Sequence, residues 1–108
     1  MDLFGDTLRG HTDAIILSIL EESDSYGYQI NQIISKRTQD KFVLTEATLY
    51  TAFKRLEQAN HIVSYWVETN APVKRKYYSI TNTGKVYLNE KKAQFLETTQ
   101  ILETFLKK

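Results

Sequence analysis

Thr45-Glu46-Ala47-Thr48-Leu49-Tyr50-Thr51-Ala52-Phe53-Lys54-Arg55-Leu56-Glu57-Gln58-Ala59-Asn60, followed at once by His61-Ile62-Val63-Ser64-Tyr65-Trp66-Val67-Glu68, decides the fold. In the first stretch Leu49, Phe53 and Leu56 recur at helical spacing, flanked by Ala52 and Ala59. Thr45 stands where a helix N-cap belongs, and Asn60 stands where a left-handed residue closes a helix. The opposite arc carries Ala47, Thr51, Lys54 and Gln58, bordered by Tyr50 on one side and by Thr48 and Arg55 on the other. The second stretch is rich in β-branched and aromatic residues. A similar run, Lys74–Ile80 with Tyr77, Tyr78 and Ile80, follows Thr69-Asn70-Ala71-Pro72-Val73, a turn-forming segment with the single proline. Two such runs around a short turn predict a β-hairpin, which is marginal alone and must pack on helices.

Nearer the N-terminus, Thr12–Glu22 is a helical segment with Thr12 or Asp13 as its cap. Its Ile15, Ile16, Leu17, Ile19 and Leu20 cover nearly the whole circumference. A helix apolar all round is buried on more than one side, so something besides its own small domain is expected to cover part of it. Ser23-Asp24-Ser25 is a polar break. A second helix is predicted over 26–38 on the stripe Ile30, Ile33, Ile34; Gly27 near its start costs helix propensity and implies a close approach by another element. After the hairpin, a last helix begins near Thr81–Thr83. It carries one apolar stripe through Leu88, Phe95, Thr99, Leu102 and Leu106, and another through Tyr87, Thr98, Ile101 and Phe105. Two such faces suit packing on both its own domain and a second copy. The predicted class is mostly α with a β-hairpin: a winged helix-turn-helix over 1–81 plus a long C-terminal dimerisation helix over 82–108.

The 108 residues make one small domain, in which a partner subunit would help complete the buried surface. Absence of cysteine excludes a disulfide scaffold, a thiolate metal site and a cysteine nucleophile. No leader pattern and no long apolar run occurs, so the expected compartment is the cytoplasm, with no membrane partner. The net charge of +1 hides an asymmetry. Residues 1–24 carry −5, residues 25–85 carry +5 and residues 86–108 carry +1. The middle of the chain therefore carries the positive field. His11 and His61 read as cap or surface groups, and no phosphate-cradling, metalloprotease or nucleophile-elbow motif is present. The chain reads as a non-enzyme with no cofactor.

In a helix-turn-helix the second helix of the pair enters the major groove of DNA, and its early residues meet base edges. Thr48, Tyr50, Thr51, Lys54 and Arg55 supply hydroxyls, a ring and charge for that task, and the helix N-terminus favours a phosphate. Glu46 opposes a phosphate there. On the hairpin, Lys74-Arg75-Lys76 forms a basic triplet in a stretch without acids between Thr69 and Asn89. It suits phosphates, although lysines also guard exposed sheet edges.

With those residues in view, the chain resembles the PadR family of bacterial transcriptional regulators. The resemblance rests on Leu8-Arg9-Gly10, Ile15–Leu20, Tyr26-Gly27-Tyr28-Gln29-Ile30, Thr48-Leu49-Tyr50, Lys54-Arg55-Leu56-Glu57, Trp66, Arg75-Lys76-Tyr77-Tyr78-Ser79-Ile80-Thr81 and Gly84. A single last helix is similar to the family's short subgroup. The resemblance implies a winged-helix reader of double-stranded DNA, dimeric through its first and last helices and usually a repressor. DNA contacts would fall on Thr48, Tyr50, Thr51, Lys54, Arg55, Lys74, Arg75 and Lys76. The homodimer would use Ile15, Ile19, Leu88, Phe95, Leu102, Phe105 and Leu106. Some short-subgroup members bind flat aromatic drugs between their last helices, where an indole stacks on the drug. A small hydrophobic or aromatic effector beside Phe95 and Thr99 is therefore a third expected partner. Two departures stand out. Thr45-Glu46-Ala47 replaces the usual Ser-Pro-Gly, and the last helix has no tryptophan; Trp66, on the hairpin, is assigned to core packing. A protein-interaction module on the same scaffold is the alternative from another functional class.

Overall fold

The computed structural model describes residues 7–107, with the side chain of Arg9 not described. Asp2 and Asp6, counted in the acidic N-terminal segment, and Lys108 lie outside the described residues. A 3₁₀ turn, Arg9–His11, leads into α1 (Thr12–Glu22), β1 (Ser25–Tyr26), α2 (Gly27–Arg37), α3 (Glu46–Gln58), β2 (Ile62–Val67), β3 (Arg75–Ile80) and α4 (Asn82–Leu106). The winged helix-turn-helix is thus present with its long last helix. The sheet has three antiparallel strands in the order β1-β3-β2.

The helix ends follow from local chemistry. Thr45 caps α3 by accepting the Thr48 amide at 3.1 Å. At the other end Asn60 adopts φ 62°, its amide bonds to the Glu57 carbonyl, and the His61 amide reaches back to Leu56. This paired closure is a Schellman motif, and α2 ends the same way through Gln39 at φ 55° and the Asp40 amide on Ser35. The N-cap position of α1 is His11, whose side chain makes no cap hydrogen bond, and the helix emerges directly from the 3₁₀ turn.

Ile16, Leu17, Ile19 and Leu20 of α1 are all buried within the chain. They pack among α2, α3, α4 and β3. The outside cover expected over this helix is not needed to explain its all-round apolarity, because α4 and the sheet close the sides that α2 and α3 leave open. Leu88 of α4, 1% exposed, joins the same core. Ile19 and Leu88 therefore leave the expected dimer set: their surface is already used inside one chain. Ile15 remains half-buried.

The third strand, in what reads as a polar break, is the main addition to the predicted fold. Ser25 and Tyr26 pair with Tyr78 and Tyr77, and the buried Ser25 hydroxyl donates to the Ser23 carbonyl. Tyr78 lies on the inner face, its ring stacked on Phe53 at 3.8 Å. Burial pushes its phenol up to about 12. Gly27 is packed as its sequence position implies, since a Cβ there would meet Leu49 Cδ2 at 3.3 Å. Beyond residue 92, α4 is exposed except at the half-buried Thr99, and the molecule extends 56 Å along its longest axis.

Candidate nucleic-acid interface

The loop before α3 is clamped by Asn31. Its side-chain amide donates to the Leu44 carbonyl at 2.7 Å, and its oxygen accepts the Leu44 amide at 3.0 Å. Thr38 accepts the Phe42 amide in the same loop. α2 thereby fixes the start of α3 through two opposed hydrogen bonds, which sequence spacing alone could not reveal because the partners are 13 residues apart.

α3 buries Leu49, Ala52, Phe53 and Leu56 and exposes Ala47, Thr48, Tyr50, Thr51, Lys54, Arg55 and Gln58. At 100° per residue the middle of the exposed arc is Ala47, Thr51, Lys54 and Gln58. Its edges differ. Tyr50 meets Phe53 edge-on at 5.9 Å, on the side of the hairpin. Arg55, on the other edge, forks onto Asp13 of α1, with Nε at 3.0 Å from one carboxylate oxygen and a terminal nitrogen on the other. That hydrogen bond is the main cause of the rise in the Arg55 pKa above its ordinary value. Thr48 shares its hydroxyl with the cap residue Thr45 at 2.9 Å.

Asp13→Asn is expected to cost about 0.5–1 kcal/mol of folding stability, because the pair is bidentate but half-open to solvent. The loss should shrink at high salt. Urea unfolding at two salt concentrations checks this, and a loss of several kcal/mol would mean that Asp13 supports more than the Arg55 pair.

The pleat divides the basic triplet. Lys76 projects from the sheet face that packs on α3, with its ammonium 5.7 Å from the Tyr78 ring centre. Arg75 points the opposite way, its guanidinium 4.6 Å over the Tyr26 ring. Lys74 stands exposed before β3, 4.0 Å from Glu68. Trp66 is not in the core: it is 63% exposed. Its register partner is Lys76, one pair from the turn that joins β2 to β3, at the end of the hairpin away from the buried Ile62.

A groove of about 1350 Å³ runs between the N-terminal end of α1, the Thr48–Arg55 edge of α3 and the first half of α4. Phe95 lines it with Tyr87, Lys91 and Thr98; Thr99, expected beside Phe95, does not. Phe95 is 59% exposed and so has no core role in the single chain. His11 borders the groove, whereas His61 stacks on Tyr87 at 4.4 Å. Among the described residues no cluster of three metal-binding side chains occurs, and no helix is long and apolar enough to cross a membrane.

Helix, helix and hairpin with a polar outer face on the second helix define a winged helix-turn-helix protein. Residues 16–90 match the model of the transcriptional regulator PadR-like family. The chain belongs to that family. It is similar to a transcriptional regulator from Clostridium thermocellum, at 42% identity over 94% of this chain and 98% of that one, with a TM-score of 0.86. It is also similar to a PadR family transcription regulator from Clostridium difficile, at 40% identity over 87% of this chain and 96% of that one, with a TM-score of 0.74. At the level of fold it resembles Bacillus subtilis PadR, whose structure was solved in complex with operator DNA. There the identity is 20%, over 73% of this chain and 45% of that one, and the TM-score is 0.67.

Proposed function

We propose that this chain is a homodimeric repressor that binds a palindromic operator, with α3 in the major groove and the hairpin as a wing on the flanking backbone. One observation carries the reading. Lys54 is exposed at the centre of the outer arc of α3 and Lys76 projects from the sheet face that packs on that helix, in a fold shared with Bacillus subtilis PadR, whose structure was solved in complex with operator DNA. Thr48, Tyr50 and Thr51 supply short polar contacts around Lys54, and Lys74 extends the wing. Arg55 serves mainly as the tie between α3 and α1, and Arg75 reaches DNA only from the outer face of the sheet. The two α3 helices of a dimer would read half-sites about 34 Å apart, or a multiple of that.

Fluorescence anisotropy with a labelled duplex from upstream of the gene encoding this chain, against a scrambled duplex at two salt concentrations, tests the reading. Specific binding that weakens steeply with salt is expected. Binding to a protein partner through apolar surface, with no salt-sensitive DNA binding, would replace this reading with the interaction-module alternative.

The dimer would form along α4. Phe95, Leu96, Ile101, Leu102, Phe105 and Leu106 are 49–77% exposed, and so much apolar surface on one helix calls for a cover. Leu102→Asp is expected to yield monomers by light scattering, because it places an unpaired charge against that surface. A dimer of undiminished affinity would move the interface off this half of α4. The groove beside Phe95 has walls from both α3 and α4, so a small aromatic effector there would touch the DNA-reading helix and the dimer helix together.

A further inference from the structure

Trp66 is the single tryptophan of the chain and lies among its more exposed large apolar side chains. Its position on the sheet gives it a role. Ile62, Ser64 and Trp66 lie on one face of β2, opposite Ile80, Tyr78 and Lys76 of β3. Ile62 is buried, and the Ser64 hydroxyl donates to Glu57 of α3 at 3.2 Å. Two residues further, about 7 Å along the strand, Trp66 lies past these α3-packed positions, still on the same face. The Lys76 ammonium lies 5.9 Å from the indole centre and 5.7 Å from the Tyr78 ring, which stacks on Phe53, which in turn meets Tyr50. A run of ring and cation contacts thus connects Trp66 to the exposed tyrosine of α3.

We propose that Trp66 is a DNA-contact residue. Its indole lies against the sugar-phosphate backbone beside the groove that α3 enters, and its ring N–H donates to a phosphate oxygen. This rests on the DNA-binding reading above. Three features favour duplex DNA as the occupant. The neighbouring cation is Lys76, with Lys74 further along the wing. The acids on that side are Glu57, which accepts from Ser64, and Glu68, which is 4.0 Å from Lys74. An indole offers an apolar ring and a donor but no acceptor, which matches a deoxyribose beside a phosphate. Such a contact positions the protein on the backbone and does not read a base, so its loss weakens binding to any sequence.

Because Trp66 is alone, its emission reports on this one site without a label. Acrylamide quenching is measured on the free protein and on protein saturated with a mixed-sequence duplex at low ionic strength, with saturation established separately by anisotropy of a labelled duplex. The quenching constant should fall about threefold on saturation as the ring enters the interface. Trp66→Ala should weaken both operator and mixed-sequence duplexes on the order of tenfold, and Trp66→Phe by about threefold through loss of the N–H donor, with unchanged circular dichroism. An unchanged quenching constant at full saturation overturns the proposal. So does an indole already shielded in the free protein, which would place it in a contact between protein chains. Failure of any duplex to bind at low salt overturns the DNA reading itself, and the proposal with it.

Discussion

Gly84→Ala is expected to destabilise the fold by about 3 kcal/mol or more and to lower Tm by roughly 15 °C. Gly84 is in the first turn of α4, and a Cβ on it would sit 2.1 Å from the His61 carbonyl oxygen and 2.8 Å from Ile80 Cγ1. The first of these neighbours is backbone and cannot rotate away. It is also held in place: the Thr81 amide donates to the same His61 oxygen at 3.0 Å, and the Thr81 hydroxyl donates to the Asn60 carbonyl at 2.7 Å. Thr81 in turn caps α4 through the Gly84 amide at 2.9 Å. The corner between α3 and β2 is therefore bolted to the start of α4, and an added methyl must push these two elements apart. Thermal unfolding of the variant checks the size of the effect. A Tm within a few degrees of the parent would mean that α4 can shift outward freely, and the joint would not couple α4 to the DNA-reading unit as rigidly as the hydrogen bonds imply.

That joint shows where sequence reading succeeds and where it stops. The ends of α3 were legible because the Thr45 cap and the left-handed Asn60 act within a few residues of themselves. The order of elements was legible because the hydrophobic period changes from helical to strand-like at His61. Gly27 signalled a close approach by its cost to the helix. Contacts between distant residues left no such trace. The Arg55–Asp13 fork joins residues 42 apart, and nothing in the spacing of either helix announces it. β1 is two residues long and exists only because β3 offers it an edge; its Ser-Tyr sequence has no alternation long enough to detect. Periodicity also assigns faces without saying what lies over them. It placed Leu88 and Phe95 on one stripe of α4, yet the first is in the core and the second borders an open groove. Trp66 was misassigned for the same reason: an apolar residue on the inner face of a strand is buried only where another layer covers that face, and Trp66 is 63% exposed although β3 pairs alongside it.

Effects on stability and on DNA binding can be separated because the proposed binding side and the core use different residues of α3. Lys54 is exposed at the middle of the outer arc, and Lys76 projects from the sheet face that packs on α3. Charge reversal at both, Lys54→Glu with Lys76→Glu, alters four positions in a dimer. Each lost phosphate contact is worth about 1 kcal/mol, so the four together weaken operator binding by about 4 kcal/mol, on the order of a thousandfold. The salt dependence should fall in parallel: four fewer contacts reduce the slope of log affinity against log salt by between three and four, taking roughly 0.9 per contact. Arg55 is left intact because its guanidinium is bonded to Asp13, and replacing it would disturb the seating of α3 as well as its charge. The variant should keep its circular dichroism and its dimer, since neither lysine contributes to the core or to α4. Anisotropy titrations over a range of salt give both quantities at once. A folded, dimeric variant that still binds within about tenfold of the parent would show that the duplex does not lie between α3 and the wing. The basic side of the molecule would then have to be sought on the outer face of the sheet, where Arg75 lies over Tyr26.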